Sequence, residues 1–167
     1  GVRILARFDG HLVALFESKR LGPVNVFVDS PLAERVTRAI LRHRHGGYDL
    51  FDHPNIRFVH DVAESKMLNN VTGAVIIAGS GMCQGGRIRH HLLHNLPREQ
   101  SRVLLVGYQV EGTLGAVLRE GGHHVRISGN DLAVRADVRS IDSYSTHADR
   151  PGLLDWLKQR APYRGAI

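Results

Sequence analysis

Val75-Ile76-Ile77-Ala78-Gly79-Ser80-Gly81-Met82-Cys83-Gln84-Gly85-Gly86-Arg87 is a four-residue apolar run that opens into a loop carrying four glycines. A basic, His-rich segment with helical character, Ile88 to Leu96, follows at once. A buried strand that enters a glycine loop and then a helix is how a parallel α/β sheet offers backbone N–H groups to an anion. Glycine reaches φ > 0 without a Cβ clash, so such a loop can close tightly around a phosphate. The stretch is neither G-x-x-x-x-G-K-[ST] nor G-x-G-x-x-G with a later ribose-binding acid. By itself it is equally a phosphate cradle and a plain sheet-top turn.

Working outward, the same strand–helix alternation repeats on both sides. Residues 2–20 carry Ile4, Leu5, Phe8, Leu12, Leu15 and Phe16 at three- and four-residue steps, which predicts a helix. Val24–Val28 predicts a strand, and Asp29-Ser30-Pro31 is an N-cap signature with proline in the first turn. The helix that follows, Leu32 to about His43, is expected to turn Leu32, Val36, Ile40 and Leu41 inward. Ile56–Val59 predicts a second strand, Asp61 caps a short helix, Val75–Ala78 is a third strand and Arg102–Tyr108 a fourth. Alternation of this kind predicts an α/β fold, a mostly parallel sheet with helices on both faces. After Gly121-Gly122 the pattern changes. Val125–Ile127 and Leu132–Val138 flank the turn signal Ser128-Gly129-Asn130-Asp131, which predicts a β-hairpin. A last helix from about Pro151 to Gln159 is expected to bury Leu153, Leu154, Trp156 and Leu157.

Composition narrows the class. At 167 residues and 43% apolar, the chain suffices for one buried core, which excludes general disorder. No apolar run approaches the roughly 18–20 residues that span a bilayer. The N-terminus Gly1-Val2-Arg3-Ile4 has neither a signal-peptide nor a transit-peptide pattern, and an amphipathic repeat already running there reads as a cut chain. The single cysteine, Cys83, excludes an internal disulfide and fits a reducing cytoplasm. Lys+Arg exceeds Asp+Glu by 22 − 16 = 6, with eleven histidines in addition. Of those 22 bases only Lys19, Lys66 and Lys158 are lysine; the rest are Arg, which pairs bidentately with phosphate. That balance favours a polyanionic partner.

In a parallel sheet ligands gather outside the C-terminal strand ends. Three polar turns are predicted there: Asp29-Ser30, Gly79–Gly86 and Gly107-Tyr108-Gln109. Arg87 and Arg89 could clamp a phosphate or simply line a solvated helix face. One cysteine rules out the usual zinc finger, and no H-x-H-x-D-H run occurs. His90 and His94 have helical ligand spacing but no Glu base beside His94. The elbow motif G-x-S-x-G is absent, which disfavours Ser80 as a hydrolase nucleophile. His147 stands among small polar residues, Ser145, Thr146 and Asp149. There it could hold a phosphate oxygen or move a proton, or be incidental to a helix cap.

Taken together, five ordered segments resemble the β-CASP region of metallo-β-lactamase-fold RNA-processing nucleases. They are Val28–Ala33, Glu64–Asn69, Ile77–Met82 with Gly85-Gly86-Arg87, Val106–Gln109 with Glu111–Leu114, and Tyr144–Asp149. The glycine loop is similar to that of the cleavage-and-polyadenylation endonuclease and its bacterial and archaeal homologues. The resemblance implies a β-CASP domain over residues 1–140. Residues 141–167 would hold the second β-CASP motif and begin the return to the metallo-β-lactamase domain. It implies that His147 is the motif histidine reaching the catalytic centre, and that Ser145, Gly79, Ser80, Gly81 and Arg87 line an RNA and phosphate cleft. It further implies a full-length hydrolase with two zinc ions bound outside this fragment, no metal ligands within it, and no nuclease activity from the fragment alone. Single-stranded RNA and the missing metallo-β-lactamase domain are the implied partners, no membrane is implied, and a homodimer is left open. The alternatives are a catalytically inactive nucleic-acid-binding relative and a β-CASP nuclease acting on DNA.

Overall fold

A computed structural model describes Ser18, Gly22 and residues 24–43, 53–141 and 150–160. The helix expected over residues 2–20 lies outside the described residues. Strand β1 (Asn25–Asp29) is the centre of a three-stranded parallel sheet in the order β2-β1-β3, with β2 at Ile56–Phe58 and β3 at Ala74–Ala78. Val26 pairs with both Ile56 and Val75, and Asp29 closes the ladder opposite Ala78. Val26 and Val28, on one face of this central strand, are fully buried, while Phe27 on the other face is half-buried.

Helix α1 (Pro31–His43) starts where the sequence places it. Ser30 Oγ accepts the Ala33 N–H at 3.3 Å and Ser30 O accepts that of Glu34. Of the four residues expected to turn inward, Leu32 is exposed and Val36 half-buried, while the side chains of Ile40 and Leu41 lie outside the described residues. Ala33 and Thr37, one turn apart, are the buried residues described on this helix. Helix α2 (Val62–Met67) begins at Asp61, whose carboxylate accepts the Glu64 N–H at 2.8 Å, while Glu64 reaches back to the His60 N–H at 2.9 Å. That is the reciprocity of a capping box, shifted by one residue. A 3-10 turn, Leu68–Asn70, then leads to β3.

The second half builds its own core around α3 (Ile88–Asn95) and α4 (Leu114–Arg119). Strand β4 (Arg102–Val106) pairs in parallel with β7 (Asp137–Ile141), so the parallel strands form two sets. The antiparallel hairpin joins β5 (His124–Ile127) to β6 (Asn130–Ala133). Its turn residues Ser128 and Gly129 both have positive φ, 51° and 85°, as a two-residue type I′ turn requires. The strand expected over Leu132–Val138 divides at its middle. Arg135 and Ala136 N–H both donate to Leu96 O, the end of α3, and this pulls the chain off the hairpin before β7 begins. Cys83, Leu92, Leu96, Leu105, Leu118, Val125 and Ile127 form the buried cluster between these elements. Each large aliphatic chain buried there stabilises the fold by about 1.5–3 kcal/mol.

Helix α5 (Arg150–Lys158) departs from the reading. Leu153, Leu154 and Trp156 are exposed and only Leu157 is half-buried. Amphipathic spacing marks a face suited to burial, and among the described residues nothing covers this one. Trp156 instead stacks under the Arg160 guanidinium, 4.2 Å from the ring centroid. Among the described residues no helix is long and apolar enough to cross a membrane.

Candidate nucleic-acid interface at the glycine loop

Topology fixes where a ligand can enter. From β1 the chain crosses to β2 on one side, then returns over β1 to β3 on the other. Right-handed crossovers in opposite directions put α1 and α2 on opposite faces of the sheet. Arg87 and His91 at the start of α3 meet the same Asp29 carboxylate as Ser65 of α2, which sets α3 on the α2 face. The loops leaving β1 and β3 thus part company at the C-terminal edge, and the gap between them is the switch point of a doubly wound sheet. Asp29 and Ala78 are the last paired residues there, so the loop beginning at Gly79 flanks that gap.

Beneath the loop lies a buried polar cluster. Asp29 is fully buried and accepts hydrogen bonds from Ser65 Oγ at 2.5 Å and His91 Nε2 at 2.6 Å, while Arg87 donates to its other oxygen. Arg87 also reaches the carbonyls of Val59 and His60, both at 3.4 Å. Arg87 and His91 stand four apart on one helical face, which is why both meet the same carboxylate. Burial alone would raise the Asp29 carboxyl. The hydrogen bonds from Ser65, Arg87 and His91, with the Arg87 charge, outweigh it and hold Asp29 below the ordinary 3.8. An ionised carboxylate only accepts, so His91 carries its proton on Nε2. His91 Nδ1 is buried without a partner among the described residues.

The loop itself is tied at both ends and underneath. Ser80 N–H donates to Gly85 O at 3.1 Å, Gly85 N–H returns to Ser80 Oγ at 3.2 Å, and Ile88 N–H donates to Gly79 O at 3.1 Å. Cys83 is the buried anchor, with φ 59° and its thiol pushed up by burial to about 11, so it stays protonated at neutral pH. Gln109, also buried, donates from Nε2 to Gly81 O at 3.0 Å and to Gly107 O at 3.1 Å. Gly115 N–H donates to Met82 O at 3.1 Å, and a Cβ at Gly115 would lie 1.8 Å from Gln109 Oε1. Among the described residues the N–H groups of Gly81, Met82 and Gln84 meet no acceptor, and all three residues are exposed. Those donors are what an anion at the switch point could take up.

Gly86 fixes the loop's return. Its φ is +73°, and a Cβ there would sit 2.4 Å from Gly79 O and 3.0 Å from Gly79 C, both backbone atoms. An alanine pays about 1–2 kcal/mol for the left-handed conformation alone, and the clash adds to that. Gly86→Ala should therefore lower the thermal midpoint of the protein carrying this chain by several degrees. An unchanged midpoint would mean that the loop adopts another path.

Gly79, Ser80, Gly81 and Arg87 are thus brought together at one edge of the sheet, with the Arg87 guanidinium shared between Asp29 and the strand-end carbonyls. Ser145 and His147 lie outside the described residues. His90 is exposed and His94 half-buried, its imidazole lowered by desolvation and by Arg98, His90 and His91 nearby. Among the described residues no group of three or more His, Cys, Asp or Glu could hold a metal ion. The Asp29–His91 pair is no substitute, because it offers only two groups and Ser65 and Arg87 already bond that carboxylate. The roles of Ser65, His91 and Gln109 were not read from sequence. The four-residue spacing of Arg87 and His91 on one predicted helix, opposite an acid at a strand end, is the signal that could have found His91; Ser65 and Gln109 carry no such signal.

Residues 11–118 match the Beta-Casp domain family, and residues 131–164 match the Zn-dependent metallo-hydrolase RNA specificity domain. A ribonuclease of Thermus thermophilus is 36% identical over 151 residues, which is 83% of this chain and 35% of that protein. The transcription termination factor FttA of Thermococcus kodakarensis is 32% identical over 124 residues, 71% of this chain and 19% of that protein. An RNase J-like protein of Methanocaldococcus jannaschii is 33% identical over 97 residues, 58% of this chain and 23% of that protein. The chain therefore spans about a third of the first relative's length and about a fifth of the other two.

Proposed function

The chain belongs to the β-CASP family of RNA-processing nucleases, and from that premise we propose that it is the β-CASP portion of a cytoplasmic, zinc-dependent ribonuclease. In this reading the whole protein hydrolyses phosphodiester bonds of single-stranded RNA. This portion holds the RNA backbone against a metal centre carried by the rest of the protein. The observation that carries the reading is the glycine loop at the β1/β3 switch point, with the N–H groups of the exposed residues Gly81, Met82 and Gln84 unspent among the described residues. The excess of six basic residues supports it.

Within the proposal each residue has a task. The loop's N–H groups and Ser80 hold a phosphate. Arg87 contributes fixed positive charge from its post on Asp29, and Ser145 adds a phosphate contact beside His147. Zinc would supply a hydroxide nucleophile and charge neutralisation in the full-length protein. The described residues do not make a set for it, so no step is assigned to zinc on this chain.

The test is binding and cleavage by the full-length protein. Its affinity for a single-stranded RNA oligonucleotide should fall with salt, with a log–log slope of about −0.7 per phosphate neutralised. The isolated 167-residue chain should cleave no RNA in zinc-containing buffer. A salt-independent affinity, or robust cleavage by the isolated chain, overturns the reading.

A further inference from the structure

Among the described residues Tyr108 has no contact that would explain its position. It is 65% exposed, yet it lies between Gly107 and Gln109, which are both buried. Gly107 has φ 98°, and its N–H is fixed to Ile141 O at 3.0 Å. Gln109 on the other side is fixed to Gly81 O and Gly107 O. The phenol ring is thus carried outward on a turn pinned at both ends. The Gln109 bond to Gly81 keeps that turn beside the glycine loop. Its apolar neighbours on the two loops, Met82 and Val110, are exposed as well, 36% and 41%. A rigidly mounted, solvent-facing aromatic beside a backbone-phosphate cradle is how proteins seat a base of a single strand: the cradle tracks the phosphates and the ring stacks on one base.

We propose that Tyr108 is the stacking platform for a nucleobase of the bound single-stranded RNA, adjoining the phosphate held at Gly79–Gly86. The inference rests on the reading of this chain as the RNA-holding portion of a nuclease and adds to it a base subsite. Every base offers a π-face, so the subsite accepts any base and contributes affinity without sequence preference. Tyr108 also stands clear of the buried Asp29 cluster, and its replacement leaves the core contacts in place.

The experiment uses the full-length protein and a single-stranded RNA oligonucleotide, read by fluorescence anisotropy over a series of salt concentrations. Tyr108→Ala should weaken binding by roughly 5- to 150-fold, the range for loss of one stacked base, while the salt slope stays at the wild-type value. Tyr108→Phe, which keeps the ring, should bind as wild type. An RNA carrying an abasic site at the stacked position should bind both proteins equally. Unchanged affinity in Tyr108→Ala overturns the assignment, as does a Phe variant as weak as the Ala variant. A lowered thermal midpoint with unchanged affinity also overturns it, since the ring would then pack on the rest of the protein. If the wild-type protein shows no salt-dependent RNA binding, the RNA reading fails together with the subsite. If wild type binds and only the Tyr108→Ala comparison fails, the RNA reading stands and the subsite does not.

Discussion

Asp29→Ala should destabilise the protein that carries this chain by about 3–5 kcal/mol, the range for removing one partner of a buried ion pair. Three donors converge on this one fully buried carboxylate, and its removal strands all of them. The Arg87 guanidinium, its exposure only 17%, would keep its charge with nothing opposite. His91 Nε2 would join Nδ1 as a second unpaired nitrogen in the same buried ring. Because Arg87 acts through Asp29, the two losses should not add. In a double-mutant cycle, Arg87→Ala on top of Asp29→Ala should cost little more than Asp29→Ala alone. The pH dependence follows from the sign of the shift. The folded-state carboxyl is held below 3.8, so its contribution is fully present above that unfolded value. It is lost as pH falls through the lower folded value. Wild-type stability should therefore drop on the acid side of about pH 4 more steeply than that of Asp29→Asn. Thermal unfolding across pH 2–7 checks both points, and a loss below about 1 kcal/mol at neutral pH would show that the cluster contributes little.

That cluster also marks the limit of what the sequence discloses. Local signals carried the elements well: Ser30 and Asp61 cap the helices their spacing predicts, and Ser128-Gly129 makes the hairpin turn. The glycine loop was legible as a strand-to-helix loop at the top of the sheet, and its ordered neighbours as a β-CASP region, because both are written in contiguous residues. Asp29 was legible only as part of a cap. Its partners Ser65, Arg87 and His91 lie 36, 58 and 62 residues away, a separation that no periodicity encodes. The same holds for Gln109, 28 residues from the carbonyl it binds. Facing direction was the other failure. Leu32 and the leucines of α5 have the spacing of a buried stripe, but a stripe is buried only by what lies over it.

His147→Ala in the full-length protein should lower RNA cleavage by about 10²–10⁴-fold, the range for loss of a positioned acid or base, with zinc content and thermal midpoint unchanged. The support lies in where the flanking chain is held. Strand β7 runs parallel to β4, and Gly107 N–H donates to Ile141 O at 3.0 Å, so Ile141 ends at the edge that carries Tyr108, Gln109 and the glycine loop. His147 follows by 147 − 141 = 6 residues, and six residues of extended chain reach no more than about 20 Å. If His147 acts at the proposed phosphate cradle, two roles are open to it, and substitution separates them. If His147 donates the proton that the departing oxygen needs, Gln, which keeps an N–H but cannot titrate near neutrality, should be as slow as Ala. Both variants should then lose the basic limb of the pH–rate profile, because wild-type activity falls as the imidazole deprotonates. If His147 only holds a phosphate oxygen, Gln should recover most of the rate and the profile should keep its shape. Loss of zinc in either variant would make His147 a metal ligand and remove it from both roles.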